Sequence, residues 1–214
     1  NYDISVRPES VASSSGLQFV TGQRIGSFQV RIASPDVFYV TNTLDTVDAN
    51  VGDGVCLDVS GACSLRAAIQ EANAAAPSAR TIILEANEVQ VSIPHQVDPL
   101  SNFPNPDQID GLPDVANSTG WSDETTGDID IIGNVSIVGN QTSRSSIRGL
   151  GGDRIFKVHP NGTLSLKRVT ISGGVAPADQ GGGGILSAGT VELDQVSVTD
   201  NTSLSNGNGL GGGG

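Results

Sequence analysis

The most constraining feature of this sequence is a repeat in its second half. The segment GTLSLKRVTISGG begins at Gly162, and it aligns with GTVELDQVSVTDN, which begins 27 residues later at Gly189. A looser copy, GDIDIIGNVSIVGN, precedes both of them. Repeats of about 20–50 residues are typical of solenoids, in which each repeat stacks its apolar stripe on the next. Short strand-like segments without intervening helices narrow the prediction to a β-solenoid with one coil per repeat.

Alternation within the two closest copies predicts their interior side chains. Successive residues of a β-strand point to opposite faces, so apolar residues at every second position share one face. We expect that face to be the core, and the intervening Thr, Ser and Lys residues to face solvent. The predicted interior positions are Leu164, Leu166, Val169 and Ile171, which align with Val191, Leu193, Val196 and Val198.

Glycines are predicted to occupy the corners between the strands. Two quartets, Gly181–Gly184 and Gly211–Gly214, lie 30 positions apart. Glycine tolerates positive φ and close backbone approach, which tight corners require. A phosphate-binding loop would need a helix start and a Lys after the glycines, and neither follows.

One helix is predicted, over Ser64–Ala76. An apolar stripe at helical spacing runs through this segment, Ser64 is suited to cap its first turn, and Pro77 ends it. Runs of β-branched and other apolar residues predict strands elsewhere in the first half. These strands are expected at Val37–Thr41, Thr81–Ala86 and Val89–Ile93.

The pattern divides the chain into four segments. Residues 1–35 form a strand-forming N-terminal extension, a candidate donor strand or arm between subunits. Residues 36–93 form a module with the helix and both cysteines, and residues 94–126 form an insertion loop rich in Pro, Asn and Asp. Residues 127–214 contain the repeated coils, whose C-terminal end we expect to be open.

Charge and hydropathy exclude two classes of partner. A nucleic-acid partner requires many Lys and Arg residues, and this chain has 11 of them against a net charge of −12. No apolar run approaches the ~18–20 residues that a membrane span needs. The sequence begins at Asn1 and contains no Met, which we interpret as a mature product without its leader. Together these observations favour a secreted, extracellular protein at the cell surface.

The two cysteines predict a disulfide. Cys56 and Cys63 lie seven positions apart, and a processed start favours an oxidising compartment. The alternative is a pair of reduced thiols in a cytosolic protein. A metal pair is disfavoured because His95 and His159 are distant in sequence. We expect a structural disulfide that holds the preceding loop against the start of the helix.

Five N-x-S/T sequons permit glycosylation in a host that has the machinery. Asn, Ser and Thr are abundant in this chain, so chance accounts for part of this number. The candidate positions are Asn117, Asn134, Asn140, Asn161 and Asn201.

The loop DTVDANVGDG is a candidate calcium site. Ca²⁺ takes about six to eight oxygen ligands, and closely spaced Asp and Asn residues between glycines can supply them. The candidate ligands are Asp45, Asp48, Asn50 and Asp53, at a spacing unlike that of an EF-hand. In the alternative interpretation, these side chains cap their own backbone in turns and bind no metal.

No catalytic residues are predicted. A β-solenoid enzyme that cleaves polysaccharides needs carboxylates paired on adjacent coils, or carboxylates that hold Ca²⁺ near a base. Outward acids such as Asp153 are few, and the repeat places Asp194 beside Lys167, which predicts an ion pair instead. His159 precedes Pro160 and is assigned to a turn. We therefore expect that this protein is not an enzyme.

The segment CSLRAAIQEANA, preceded by VTNTLDTVDANVGDGVC, resembles the N-terminal module named for its C-S-L-R-E-A motif. That module opens many secreted bacterial and archaeal surface proteins. The repeats that follow are similar to the bodies of those proteins and to polymorphic outer-membrane-protein repeats. Over residues 36–214 the resemblance implies an all-β fold, a right-handed parallel β-helix capped by the helix and the disulfide loop. Ala67 stands where the motif has Glu, so Ser64 lacks its capping-box partner.

These features predict an extracellular structural subunit that forms filaments. An open β-helix end exposes unpaired backbone and apolar side chains, which template further pairing. We expect the extension of one copy to complete the open end of the next, so the partners are copies of the chain itself, with cell-surface glycans as a further candidate. The alternatives are part of a secreted adhesin or passenger, and a polysaccharide-binding or polysaccharide-degrading β-helix. The residues predicted for assembly are Ile4, Val6, Leu17, Phe19, Val20, Ile25, Phe28, Val30, Leu210, Gly211 and Gly214.

Overall fold

A computed structural model describes residues 36–94, 127–176 and 181–203 of the chain. The described residues belong to one compact unit. Predictions that concern other residues lie outside the described part.

The described residues form short strands and one helix, α1 (Leu65–Ala74). The strands of the first half are β1 (Val37–Val40), β2 (Arg80–Leu84) and β3 (Glu88–Val91). The strands of the second half are β4 (Ile129–Ile131), β5 (Asn134–Val138), β6 (Ser145–Gly149), β7 (Phe156–Val158), β8 (Thr163–Lys167), β9 (Val169–Ser172), β10 (Val175–Ala176), β11 (Ile185–Ser187), β12 (Thr190–Asp194), β13 (Ser197–Val198) and β14 (Thr202–Ser203). The predicted helix and first three strands are confirmed, with ends shifted by one or two residues.

All the strand pairings of the described residues are parallel. The longest sheet has the order β1-β2-β5-β8-β12, and a second has the order β3-β6-β9-β13. A third has the order β4-β7-β11, and β10 pairs with β14. Strand numbers rise steadily across each sheet, so the chain adds strands to the sheets in turn. The predicted all-β class is confirmed at this level.

The register between β8 and β12 is the one that the repeat predicts. Leu166 lies opposite Leu193, and Lys167 lies opposite Asp194. The pairing of β9 with β13 keeps the same offset, because Ile171 lies opposite its predicted counterpart. The two copies therefore stack residue by residue.

Apolar side chains from successive strands form rows across the sheets. One row runs through Phe38, Ile82, Ile137, Leu166 and Leu193. The first four side chains are buried, whereas Leu193 is 53% exposed. The four predicted interior residues of the first copy are fully buried, and each contributes about 1.5–3 kcal/mol to stability. Their counterparts in the second copy are half-buried or exposed.

Helix α1 covers one end of the sheets. The Ser64 Oγ accepts a hydrogen bond from the Ala67 N–H at 3.0 Å, which confirms the predicted cap. Ala67 is fully buried, so a small apolar side chain suits this position. The helix packs against β1, β2, β4 and β5, and β1 and β4 are the first strands of their sheets. No helix among the residues described is long and apolar enough to cross a membrane.

Two corners between strands do not follow the glycine prediction. Arg168 and Gln195 have φ values of 53° and 58°, and they occupy the same place in the two copies. Longer side chains therefore adopt the left-handed conformation where glycine was expected. The prediction of close approach holds at Gly162, because a Cβ there would meet the carbonyl oxygen of Ile131.

Candidate functional site

The strands β11, β12 and β13 form what we call the exposed end. Within the described residues, each of these strands has a neighbour on one side only. Leu193 is largely exposed there, and Val191 and Val198 are half-buried. Edge strands with apolar side chains are templates for pairing with a further strand. The opposite end is covered by α1, so the two ends of the sheets differ in chemistry.

An ion pair lies on the rim of the exposed end. The Lys167 Nζ is 2.6 Å from the Asp194 Oδ2, which confirms the ion pair that the repeat predicts. Both side chains are about half exposed, so this pair contributes about 0–1 kcal/mol. Glu192 and Asp200 are also exposed, and the rim is therefore acidic.

Arg66 and Asp45 form a buried ion pair at the covered end. The Arg66 Nε lies 2.7 Å from the Asp45 Oδ1, and its Nη2 donates to the carbonyl oxygen of Gly127 at 2.8 Å. The Asp45 Oδ2 also accepts hydrogen bonds from the N–H groups of Ser92 and Ile93, at 2.7 and 2.8 Å. These bonds offset the cost of burying two charges. The pair joins the loop before α1 to the end of β3 and the start of β4.

Two further polar side chains of α1 hold the preceding loop. The Glu71 carboxylate accepts hydrogen bonds from the N–H groups of Gly52 and Gly54. The Gln70 Oε1 accepts from the Asp48 N–H at 2.7 Å. Both side chains are buried. The helix therefore binds the loop through its polar face while its apolar face contributes to the core.

The four predicted calcium ligands make hydrogen bonds and ion pairs within the protein. Asp45 is paired with the guanidinium of Arg66. The Asp48 Oδ1 accepts a hydrogen bond from the backbone N–H of Asn50 at 2.8 Å, and the Asp53 Oδ2 accepts one from the Asn50 Nδ2 at 3.0 Å. Such bonds are what the turn interpretation describes. Among the described residues, no group of three or more His, Cys, Asp and Glu side chains suits a metal. Calcium binding stays a prediction.

Asp58 is a buried carboxylate inside the disulfide loop. Burial raises the pKa of Asp58, but hydrogen bonds from Ser60, Thr46, Ala62 and Asn42 lower it by more. The net effect holds the pKa of Asp58 well below its usual range. The charged form of this side chain therefore stabilises the loop.

The predicted disulfide between Cys56 and Cys63 is confirmed. Their Cα atoms are 5.1 Å apart, and both residues are buried. Cys63 directly precedes the cap residue Ser64, so the bond joins the loop to the start of α1 as expected.

His159 and Asp130 form a pair that the sequence pattern does not reveal. The His159 Nε2 lies 2.6 Å from the Asp130 Oδ1, with Asp130 buried and His159 half-buried. The His159 N–H also donates to the carbonyl oxygen of Ile131 at 3.0 Å. Asp130 lies on β4, and His159, 29 positions later in sequence, directly follows the neighbouring strand β7. Only the register between β4 and β7 would have located the pair. The pair ties these strands together.

Arg154 occupies a buried acidic environment. Its Nε lies 3.4 Å from the Asp128 Oδ2 and 3.9 Å from the Asp153 Oδ1, and all three residues are buried. The expectation that Asp153 faces outward is therefore wrong, because this carboxylate faces a buried cation. Two carboxylates compensate the burial of one guanidinium.

The sequons differ in access. Asn134 and Asn161 are exposed, Asn140 is half-buried, and Asn117 lies outside the described residues. Asn201 is buried, and its Nδ2 donates to two backbone carbonyls at 3.1 and 3.0 Å. The folded chain therefore exposes Asn161 and Asn134, whose Nδ2 donates to the carbonyl oxygen of Pro77 at 3.2 Å, whereas Asn201 is buried.

All the residues predicted for assembly lie outside the described part of the chain, so their role stays a prediction. The structure adds the exposed end to this prediction of assembly.

Comparisons with protein-family models, with curated proteins and with solved structures found no match to this chain.

Proposed function

We propose that this chain is an extracellular structural subunit, a right-handed parallel β-helix whose copies assemble head to tail at the exposed end. Parallel pairing throughout the described residues and the residue-by-residue stacking of two copies support a β-helix. Crossovers between parallel strands are nearly always right-handed. The likeness of CSLRAAIQEANA to the module of secreted surface proteins, together with the disulfide, supports an extracellular location.

The observation that carries this proposal is the contrast between the last two side chains of one row. Leu166 is fully buried beneath Leu193, whereas Leu193 is 53% exposed with β12 at the edge of its sheet. A further parallel strand on β12 would bury it. Helix α1 covers the other end, so addition at the exposed end joins unlike surfaces. A head-to-tail contact that does not close produces a filament.

Sedimentation velocity of the whole chain over a concentration series tests this assembly. We expect larger species at high concentration, and we expect Leu193→Asp to suppress them. Leu150→Asp is the matched control, because Leu150 is 50% exposed but does not lie on the exposed end. Monodisperse monomers at every concentration would contradict the proposal, and so would equal effects of the two substitutions.

A second candidate is that the next strand belongs to the same polypeptide, within a longer secreted adhesin or passenger. The recurrence of a glycine quartet at Gly211–Gly214, 30 positions after Gly181–Gly184, favours this reading, because it extends the repeat past β14. The intact mass of the protein isolated from its native source distinguishes the candidates. A mass near 21.8 kDa supports assembly between copies, and a much larger mass supports the adhesin.

A further inference from the structure

We propose that the strand accepted by β12 is Gly26–Arg31 of a neighbouring copy. This inference rests on the head-to-tail assembly proposed above and names the segment that performs it. The segment lies outside the described residues, and its sequence has the same pattern as β8, the strand already paired with β12.

Strand β8 is the internal example of a strand that fits β12. Its apolar residues lie opposite the apolar residues of β12, and Lys167 reaches Asp194 at 2.6 Å. From Gly162 the sequence reads Gly-Thr-Leu-Ser-Leu-Lys. The order of classes is glycine, hydroxyl, apolar, polar, apolar and cation.

Gly26–Arg31 reads Gly-Ser-Phe-Gln-Val-Arg and has the same class at all six positions. In the register of β8, Val30 lies on Leu193 and covers the side chain that is exposed. Arg31 then lies beside Asp194, on the acidic rim of the exposed end. The segment is therefore complementary to β12 in apolar pattern and in charge.

The glycine at the first position makes the match selective. A Cβ at Gly189 would meet the carbonyl oxygens of His159 and Gly162 in the repeat beneath it, and a Cβ at Gly162 would meet that of Ile131. If the next strand stacks in the same way, its residue above Gly189 meets a backbone carbonyl oxygen of this repeat and must also lack a Cβ. Gly26 satisfies this condition.

A second segment of the extension fails at that position. Ile4–Arg7 reads Ile-Ser-Val-Arg and matches the last four classes, but Tyr2 falls where the glycine is required. Gly26–Arg31 therefore fits β12 better than Ile4–Arg7 does, and Val30 is the residue to test.

The first test compares Val30→Asp and Val11→Asp in the full chain by sedimentation velocity. We expect Val30→Asp to raise the concentration needed for assembly about 10- to 100-fold, the factor for losing one buried aliphatic side chain. Val11→Asp should leave this concentration unchanged, because Val11 lies outside Gly26–Arg31 and is not among the residues predicted for assembly. If Leu193→Asp suppresses assembly but Val30→Asp does not, the donor segment is wrong and the assembly proposal stands. If the unmodified chain does not assemble, the assembly proposal itself fails.

A second test measures the register by cross-linking. Chains with Gln29→Cys are mixed with chains with Glu192→Cys, because these outward positions face each other in the proposed pairing. Neighbouring strands lie about 4.8 Å apart, within the range of about 4.4–6.8 Å that a disulfide spans. We expect a covalent heterodimer, with little product when Gln18→Cys replaces Gln29→Cys. Equal yields from both mixtures overturn the proposed register.

Discussion

Asp45→Ala removes one partner of the buried ion pair at the covered end. Asp45 binds Arg66 at 2.7 Å and also accepts hydrogen bonds from two backbone N–H groups. The substitution leaves a buried guanidinium without its carboxylate, together with two backbone donors that lose their acceptor. We therefore expect a large loss of stability from a residue in a loop.

The magnitude follows from the burial of the pair. Breaking a buried ion pair by removing one partner costs about 3–5 kcal/mol. Asp36→Ala is the matched control, because the Asp36 Oδ1 lies 3.1 Å from the Arg80 Nη1 but its side chain is 66% exposed. An exposed pair contributes about 0–1 kcal/mol. The two substitutions should therefore differ by at least about 2 kcal/mol.

Unfolding in guanidinium chloride, followed by far-ultraviolet circular dichroism, measures both free energies by linear extrapolation. Asp45→Asn, which keeps the size and one acceptor oxygen, should lie between the unmodified chain and Asp45→Ala. The reasoning is refuted if Asp45→Ala costs no more than Asp36→Ala, since the pair would then contribute no more than an exposed one.

Three further predictions concern the loop and the corners. Replacing Cys56 and Cys63 by Ser should lower the free energy of unfolding by about 2.5 kcal/mol, which is the entropic contribution of closing a small loop; thermal unfolding of both chains without reductant measures the difference, and equal midpoints would contradict it. Because the pKa of Asp58 is lowered by folding, its stabilisation is complete above the unfolded pKa of ~4 and is lost as the pH falls below it. The stability difference between the unmodified chain and Asp58→Asn should therefore shrink between pH 5 and pH 2 in chemical unfolding; a constant difference would count against it. Gly162→Ala should cost about 1–3 kcal/mol because its Cβ would meet a backbone carbonyl, whereas Thr163→Ala, at the half-buried position beside it, should cost less than Gly162→Ala in the same assay.

The repeat and the local capping signals were sufficient to predict several features of the fold. The alignment of Leu166 with Leu193 became the observed register because β-strands alternate faces and the copies have equal length. The cap at Ser64 and the disulfide at Cys56 and Cys63 depend on residues close in sequence, and local patterns report such contacts well.

The side-chain pairs that hold distant segments together were not predictable in the same way. Arg66 finds Asp45 21 positions earlier, and His159 finds Asp130 29 positions earlier. Neither pair follows a periodic pattern, because each depends on which strands become neighbours. Asp45 also illustrates an ambiguity, since a carboxylate in a loop rich in Asp is equally suited to a cation in the protein and to a metal.

Hydrogen exchange across a concentration series tests the central claim that β12 is an open edge that takes a further strand. Mass spectrometry would follow two peptides of the intact chain, one covering Thr190–Asp194 and one covering Thr163–Lys167. We expect the β12 peptide to exchange faster than the β8 peptide in dilute solution, and its protection to rise toward that of β8 as the concentration increases. Exchange of the β12 peptide that is independent of concentration, at a rate equal to that of β8, would contradict the proposed open edge.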